Sequence, residues 1–265
     1  MNFPPSPETL LEGAKDLGIL RELLASELQR ARAITHTSPF RSRLQKGMGP
    51  FEEALRRAPL PVIAEFKRAS PSLGPFAEAA DVRERLEGYR RGGAAAFSVL
   101  AEPAWFRGRA EDFAVAATLG VPVLYKGFVC TLAHLEEARA YGAQAVLLIA
   151  RLLGEYLPAF AAAARVTGLE PLVEIHDAKE IPMVQAASVR MVGWNARDLS
   201  DFSVRSATAH ELRAAFPQHL LIRESGLRSP EDARAALEGG FDALLMGEAL
   251  MRAPDPAAFL AQVRP

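Results

Sequence analysis

From Pro61 to near the C-terminus, short apolar runs rich in β-branched residues alternate with amphipathic stretches of helical period. This rhythm limits the fold more than any other feature of the chain. Eight runs read as strands: Val62–Phe66, Ala96–Leu100, Pro122–Tyr125, Ala145–Ile149, Leu172–Ile175, Met191–Trp194, Leu220–Arg223 and Ala243–Met246. Between them, Val82–Arg91, Leu132–Tyr141, Glu155–Val166, Thr208–Ala215 and Pro230–Glu238 read as helices, and glycines at 92–93, 142, 168 and 239–240 mark helix-to-strand turns. Such alternation makes parallel strands joined by crossover helices. Eight units predict an α/β fold, a single closed (β/α)8 TIM barrel, rather than an open doubly wound sheet. No strand runs into the G-x-G-x-x-G that would signal the latter.

The first fifty residues stand outside the rhythm. Ser6-Pro7-Glu8 supplies a cap, a first-turn proline and an early acid. A helix is therefore expected from about Glu8 to Arg32, then a loop at Thr35-His-Thr-Ser-Pro39 and a short helix at Phe51–Arg57. The expected organisation is an N-terminal helical extension over 1–50 and one barrel over 51–265. At 265 residues and 49% apolar, the chain has ample material for a core. A net charge of −1 argues against a nucleic acid or an acidic membrane surface held by bulk charge. The single cysteine, Cys130, excludes an intrachain disulfide and a cysteine-cluster metal site, and suits a reducing cytosol. Glu8, Glu12, Lys15 and Asp16 interrupt any apolar N-terminal stretch, so no signal peptide is expected. No apolar run reaches the roughly 18–20 residues of a membrane span.

In a barrel of this class the active site lies at the C-terminal ends of the strands, and polar residues gather there. Strand one ends in Glu65 and Lys67, two residues apart and so on one face, before a Ser70-Pro-Ser72 turn. That arrangement suits gripping an anion and moving protons better than packing a core. Strand three ends in Lys126, strand five in Glu174, strand six in Asn195 and Arg197, strand seven in Glu224-Ser225-Gly226 and strand eight in Gly247-Glu248; strand four offers nothing ionisable. Taken singly, each is an ordinary loop residue or half of a surface ion pair. Gathered at one barrel mouth, they would be costly to place without a purpose. Of 31 basic residues only Lys15, Lys46, Lys67, Lys126 and Lys179 are lysines, and two of these five sit at strand ends.

The small-residue turns at Ser225-Gly226 and Gly247-Glu248 expose backbone N–H groups and read as a phosphate cradle. A helix is expected from near Gly247 through Met251, with Lys67 and Ser70 reaching the same oxygens. The five histidines show no metal-ligand spacing. His176 is expected to cap the following helix, and Cys130 to be a small buried hydrophobe. Trp105 and Phe106, after strand two, either flank an aromatic substrate or close the top of the core.

Several of these segments, in this order, resemble the indole-3-glycerol phosphate synthase family over about Phe51 to the C-terminus. They are Val62-Ile-Ala-Glu-Phe-Lys-Arg-Ala-Ser-Pro-Ser72, Ser98-Val-Leu100 with Glu102-Pro103 and Phe106, Pro122-Val-Leu-Tyr-Lys-Gly-Phe128, Leu172-Val-Glu-Ile-His176, Gly193-Trp-Asn-Ala-Arg-Asp-Leu199, Glu224-Ser-Gly226 and Met246-Gly-Glu-Ala-Leu-Met-Arg-Ala253. The resemblance implies ring closure of a carboxyphenylamino-deoxyribulose phosphate with loss of CO2 and water, in tryptophan biosynthesis. It implies Lys126 as the acid at the substrate carbonyl and Glu174 as base or proton shuttle, with Glu65 and Lys67 assisting and Asn195 and Glu224 positioning. It further implies Arg197 in support, Ser70, Ser225, Gly226, Gly247 and Glu248 around the phosphate, and Phe106 against the substrate. The chemistry requires no metal or organic cofactor, and the expected partner is a small phosphorylated molecule bound by a monomer.

The chain departs from the family pattern where Gly127 replaces an acid, Tyr125 a basic residue, Trp194 a smaller aliphatic and Ala196 a polar residue. Gly127 raises the expectation that Lys126 is freed or misplaced. Two other readings follow: a phosphate-binding barrel isomerase, disfavoured by Glu65 and Lys67 on strand one, and a weakened paralogue that binds without turnover.

Overall fold

The computed structural model describes residues 3–34, 47–71, 73–197 and 209–264. Eight parallel strands close into a barrel: β1 (Val62–Phe66), β2 (Ala96–Leu100), β3 (Val123–Lys126), β4 (Ala145–Ile149), β5 (Glu170–Ile175), β6 (Met191–Asn195), β7 (Leu220–Glu224) and β8 (Ala243–Met246). Each pairs with the next in sequence, and β8 pairs with β1. β1, β2, β4 and β8 have the predicted ends. β3, β6 and β7 run one residue further than predicted, onto Lys126, Asn195 and Glu224. These polar side chains therefore sit on the ladder itself, where Leu100 pairs with Lys126, Ile149 with Glu174 and Asn195 with Glu224.

The period-two alternation of strands sorts the apolar residues into two layers. Val62, Ala64 and Phe66 of β1 face outward with Leu221 and Leu244, into a shell shared with the surrounding helices. Ile63, Ala96, Leu124, Leu147, Leu172, Met191, Ile222 and Leu245 point inward and fill the barrel. The helix Pro50–Arg57 closes the N-terminal end. Its Phe51 and Leu55 join the interior cluster, and the buried Glu170 carboxylate at the start of β5 accepts from the Phe51 and Glu52 N–H groups at 2.7 and 2.9 Å. That carboxylate satisfies donors that the first turn of any helix leaves orphaned.

The expected N-terminal helix is broken in two, Pro7–Gly13 and Ile19–Ala31. The chain turns at Gly18 with φ +54, an angle costly for any residue bearing a Cβ. The expected helix Glu155–Val166 starts at Leu157, after a short helix Ala150–Leu153 and a 3-10 turn at Gly154–Tyr156. Helices at Ala110–Ala117, Ile181–Ala186 and Pro256–Val263 were not anticipated. The Thr35–Pro39 loop, Ser72, Asp198 and Thr208 lie outside the described residues. Among the described residues, no helix is long and apolar enough to cross a membrane.

Candidate active site

At the C-terminal mouth of the barrel, a cavity of about 300 Å3 opens between an ionic wall and an apolar one. Lys126, from β3, is the hub of the ionic wall. Its Nζ donates to Glu224 Oε2 at 2.9 Å and to Glu174 Oε2 at 3.5 Å, and lies 3.8 Å from Glu65 Oε2. Lys67 Nζ sits 2.7 Å from the other Glu65 oxygen. Residues on four strands separated by well over a hundred positions thus meet within one ion cluster, because each occupies the last inward-facing place on its strand.

Three buried carboxylates face two ammonium groups here. Burial alone pushes the Glu65 carboxyl up, but the Lys67 and Lys126 charges outweigh it and hold the group below its usual range. Burial likewise opposes ionisation of Lys126, yet Glu224, Glu174 and Glu65 raise its proton affinity well above that of a free lysine. Glu174 and Glu224 form a hydrogen-bonded pair with opposite fates. Burial is outweighed at Glu174 by Lys126, His176 and a hydrogen bond from Asn195, so it stays ionised. At Glu224 burial and the neighbouring Glu174 charge win over Lys126, and its carboxyl is pushed up to about 8. One retained proton on this pair balances the excess negative charge.

Two glycines make room for these carboxylates. A Cβ on Gly193 of β6 would fall 2.0 Å from Glu224 Oε1, and one on Gly247, just past β8, 2.3 Å from Glu65 Oε1. Asn195 is oriented by its own carbonyl oxygen, which accepts from the Arg197 N–H at 3.1 Å and leaves the amide donors for Glu174.

The opposite wall is apolar, formed by Leu100, Phe106, Phe128, Leu147 and Ile149. The Phe106 and Phe128 rings lie 6.0 Å apart with a 40° tilt, a spacing at which rings attract. Phe106 is held there by Glu102, whose buried carboxylate accepts from the Ala104, Trp105 and Phe106 N–H groups at 2.8, 2.6 and 3.1 Å. Trp105 packs against the interior cluster rather than lining the cavity. At the far end, Ser70, Ser225, Gly226, Gly247 and Glu248 line the space with Lys67, Arg228 and Arg252. Ser225 and Gly226 adopt successive left-handed angles, φ +61 and +76, a turn that aligns consecutive N–H groups. The Lys67 ammonium lies 3.1 Å from the position a Gly247 Cβ would take, so one charge borders both the ion cluster and these turns. Glu248 spends its carboxylate on Arg252 and Arg197, at 3.3 and 3.8 Å.

A sequence profile of the indole-3-glycerol phosphate synthase family matches residues 20–263. An indole-3-glycerol phosphate synthase of Lactiplantibacillus plantarum is 41% identical over 81% of this chain and 84% of its own length. Indole-3-glycerol phosphate synthase 2 of Streptomyces coelicolor is 42% identical over 90% and 96%, and a synthase of Deinococcus radiodurans 43% over 78% and 81%. The chain belongs to the indole-3-glycerol phosphate synthase family.

The family match starts at residue 20, thirty residues earlier than the motifs alone indicated, and so takes in the helix Ile19–Ala31. That helix is locked to the barrel. Arg30 reaches Glu137 at 2.7 Å, Glu27 at 2.9 Å and the Tyr125 hydroxyl at 3.1 Å, and Tyr125 donates to Glu137 at 2.5 Å. Tyr125, a departure from the family pattern, thus faces away from the cavity and serves as an anchor. Gly127 accompanies it, because a Cβ there would lie 3.0 Å from Tyr125 Cε1. Neither departure frees Lys126, which keeps all three carboxylate partners. Trp194 and Ala196 are buried on the outer layer, away from the chemistry.

Every residue expected at the mouth converges on it, with Glu224 reaching it through Lys126. One expectation fails here. His176 caps nothing, since Asp177 accepts from the Lys179 N–H at 2.9 Å in that role. His176 instead turns inward against Glu174, because it lies two residues beyond it on the same face of the chain. Glu102 and Gly193 sit within motifs that give neither of them a role. A carboxylate that ties its own loop, or a glycine that vacates space for a distant strand, leaves no local signal. Cys130 is buried as expected, and burial drives its thiol far above the reactive range.

Proposed function

We propose that this cavity closes the indole ring of 1-(2-carboxyphenylamino)-1-deoxyribulose 5-phosphate, releasing CO2 and water to give indole-3-glycerol phosphate. The observation that carries this reading is Lys126, a half-buried ammonium held by three glutamates at the boundary between the ionic and apolar walls. The phenyl group fits between Phe106, Phe128, Leu100, Leu147 and Ile149, and the phosphate at Ser70, Ser225, Gly226, Gly247 and the Glu248 N–H, with Lys67 alongside. These anchors stretch the substrate so that its ketone faces Lys126.

Attack of the aromatic carbon on the ketone builds an alkoxide, and Lys126 donates its proton there. The strong proton affinity of Lys126 keeps the ammonium charged until an alkoxide of comparable basicity appears. The carboxylate then leaves as CO2, and its bonding electrons restore the ring. Loss of the hydroxyl as water needs an acid at oxygen and a base to take the remaining proton. Ionised Glu174 is that base, and Lys126 re-protonated through the cluster serves the leaving oxygen. Asn195 holds the reacting hydroxyls, protonated Glu224 positions Lys126 for them, Glu65 and Lys67 set the charge around Lys126, and Arg197 braces Asn195 and Glu248. The helix Ile19–Ala31 braces the apolar wall through its contacts with the cluster that holds Phe128, and the protein works as a monomer in a reducing cytosol.

Supplying the carboxyphenylamino substrate and following indole fluorescence tests the reading. Wild-type protein generates the signal, and Lys126→Ala abolishes it while retaining the wild-type melting profile. A wild-type protein that binds the substrate without fluorescence gain, or converts phosphoribosylanthranilate instead, overturns it.

A further inference from the structure

β5 directs alternate side chains into the barrel, and its inward series continues past the strand end from Leu172 and Glu174 to His176. His176 is only 2% exposed and lies outside the cavity lining. Its Nε2 is 3.2 Å from Glu174 Oε1, whereas Lys126 Nζ approaches the other oxygen, Oε2, at 3.5 Å. The two oxygens of one carboxylate are thus divided between two partners. We propose that His176 is a positioning residue: it holds Oε1 of Glu174 from behind, so that Oε2 stays turned toward Lys126 and the reacting atoms. This rests on the reading of Glu174 as the base.

The surroundings of His176 fit a fixed support. Its backbone N–H donates to Glu180 Oε2 at 3.3 Å, and Glu180 is in turn gripped by Arg151 Nε at 3.0 Å and by the second Arg151 nitrogen at 2.8 Å. The charged and titratable groups around it are Glu174 just before it in the chain, Glu180 and Arg151 on the other side, and Lys126 and Glu224 beyond Glu174. A carboxylate with two freely rotating bonds beyond its Cβ has several orientations of similar energy. A second partner on the non-reacting oxygen selects one of them before substrate arrives, as a base-orienting group does in other proton-transfer sites. A buried histidine retained only for packing would make no such demand on the chemistry.

A pair of variants of equal reach separates these roles: His176→Gln keeps a donor near the Nε2 position, and His176→Met removes it. The expected result is a fall in kcat of about 10–100-fold for His176→Met with KM nearly unchanged, and recovery of most of the loss in His176→Gln. The acid limb of the kcat profile moves to higher pH in His176→Met, because a partner that favours the ionised carboxylate is gone. It stays near the wild-type position in His176→Gln. The Glu174 titration, followed by 13C NMR of labelled glutamate with Glu174→Gln as the assignment control, moves the same way without any need for turnover. Equal behaviour of the two variants in kcat and titration, whether both like wild type or both equally impaired, overturns the proposal, as does failure of both to fold. A wild-type enzyme that does not close the ring sinks the reading of the cavity instead, and the NMR titration still decides the role of His176.

Discussion

At the scale of single residues, the site is built as much by missing side chains as by present ones. Glu224 lies across β6 only because Gly193 has no Cβ, and Glu65 occupies its place only because Gly247 has none. In Gly193→Ala the new methyl forces the Glu224 carboxyl off Lys126. A displacement of about 1 Å at a reacting group costs on the order of 100-fold in rate, while overpacking costs about 1–3 kcal/mol of stability. The variant is therefore expected to remain folded, with kcat reduced about 100-fold, as steady-state fluorescence kinetics would show; an unchanged kcat would mean that Glu224 has no part in the chemistry. Tyr125 and Gly127 follow the same logic as a pair. The ring that anchors Arg30 crowds the place a side chain at 127 would take, at 3.0 Å from its Cβ, so the two departures from the family pattern suit each other.

At the scale of elements, β5 serves both ends of the barrel. Glu170 at its start holds the helix that plugs the base, and Glu174, the last inward-facing residue of the strand, joins the ion cluster. The helix Ile19–Ala31 is the other element with two duties. Leu20, Leu23, Leu24 and Leu28 add to the interior cluster that includes Phe128 and Leu152, while Arg30 neutralises the buried Glu27 and Glu137. Those two carboxylates are almost wholly inaccessible; His134 lies 3.3 Å from Glu27, but removing Arg30 takes the cation from Glu137 and leaves buried charge poorly compensated. Arg30→Met is expected to lower stability by about 3–5 kcal/mol, read by urea unfolding. A loss under about 1 kcal/mol, the range of an exposed pair, would show that the helix merely rests on the barrel.

For the molecule as a whole, buried carboxyls set how stability follows pH. Glu180 and Glu224 have folded-state values of about 7 and about 8, raised above the 4.5 of a free glutamate by burial, against the pull of Arg151 and Lys126. A raised carboxyl binds more protons folded than unfolded, so its contribution is complete below the unfolded value and is lost as pH climbs to the folded one. His219 is lowered, mainly by burial, and acts in the opposite sense, but only below about pH 6.5. The melting temperature is therefore expected to fall from pH 6.5 to pH 8.5, and Glu224→Gln to flatten that fall. A melting temperature that rises across this interval would contradict protonation of these groups in the folded state.

Much of this was open to reading along the chain. The eight strands, the parallel closed topology and the polar residues at most strands' C-terminal ends follow from local periodicity, because alternation by two and by 3.6 is written into neighbouring residues. Even the failed expectation at His176 obeyed that rule, since the same parity that turns Glu174 inward turns His176 inward. Three things depended on the closed barrel. One is the sharing of a proton between Glu174 and Glu224, whose separate strands meet only there. Another is the slot that Gly193 opens for a residue thirty-one positions away. The last is the anchoring of Arg30 across the fold onto Tyr125. Local sequence dictates the direction each side chain takes from its strand or helix. Which distant partner it then meets, and so which carboxyl keeps its proton, is decided by burial and Coulomb interactions that exist only once the ring of strands has closed.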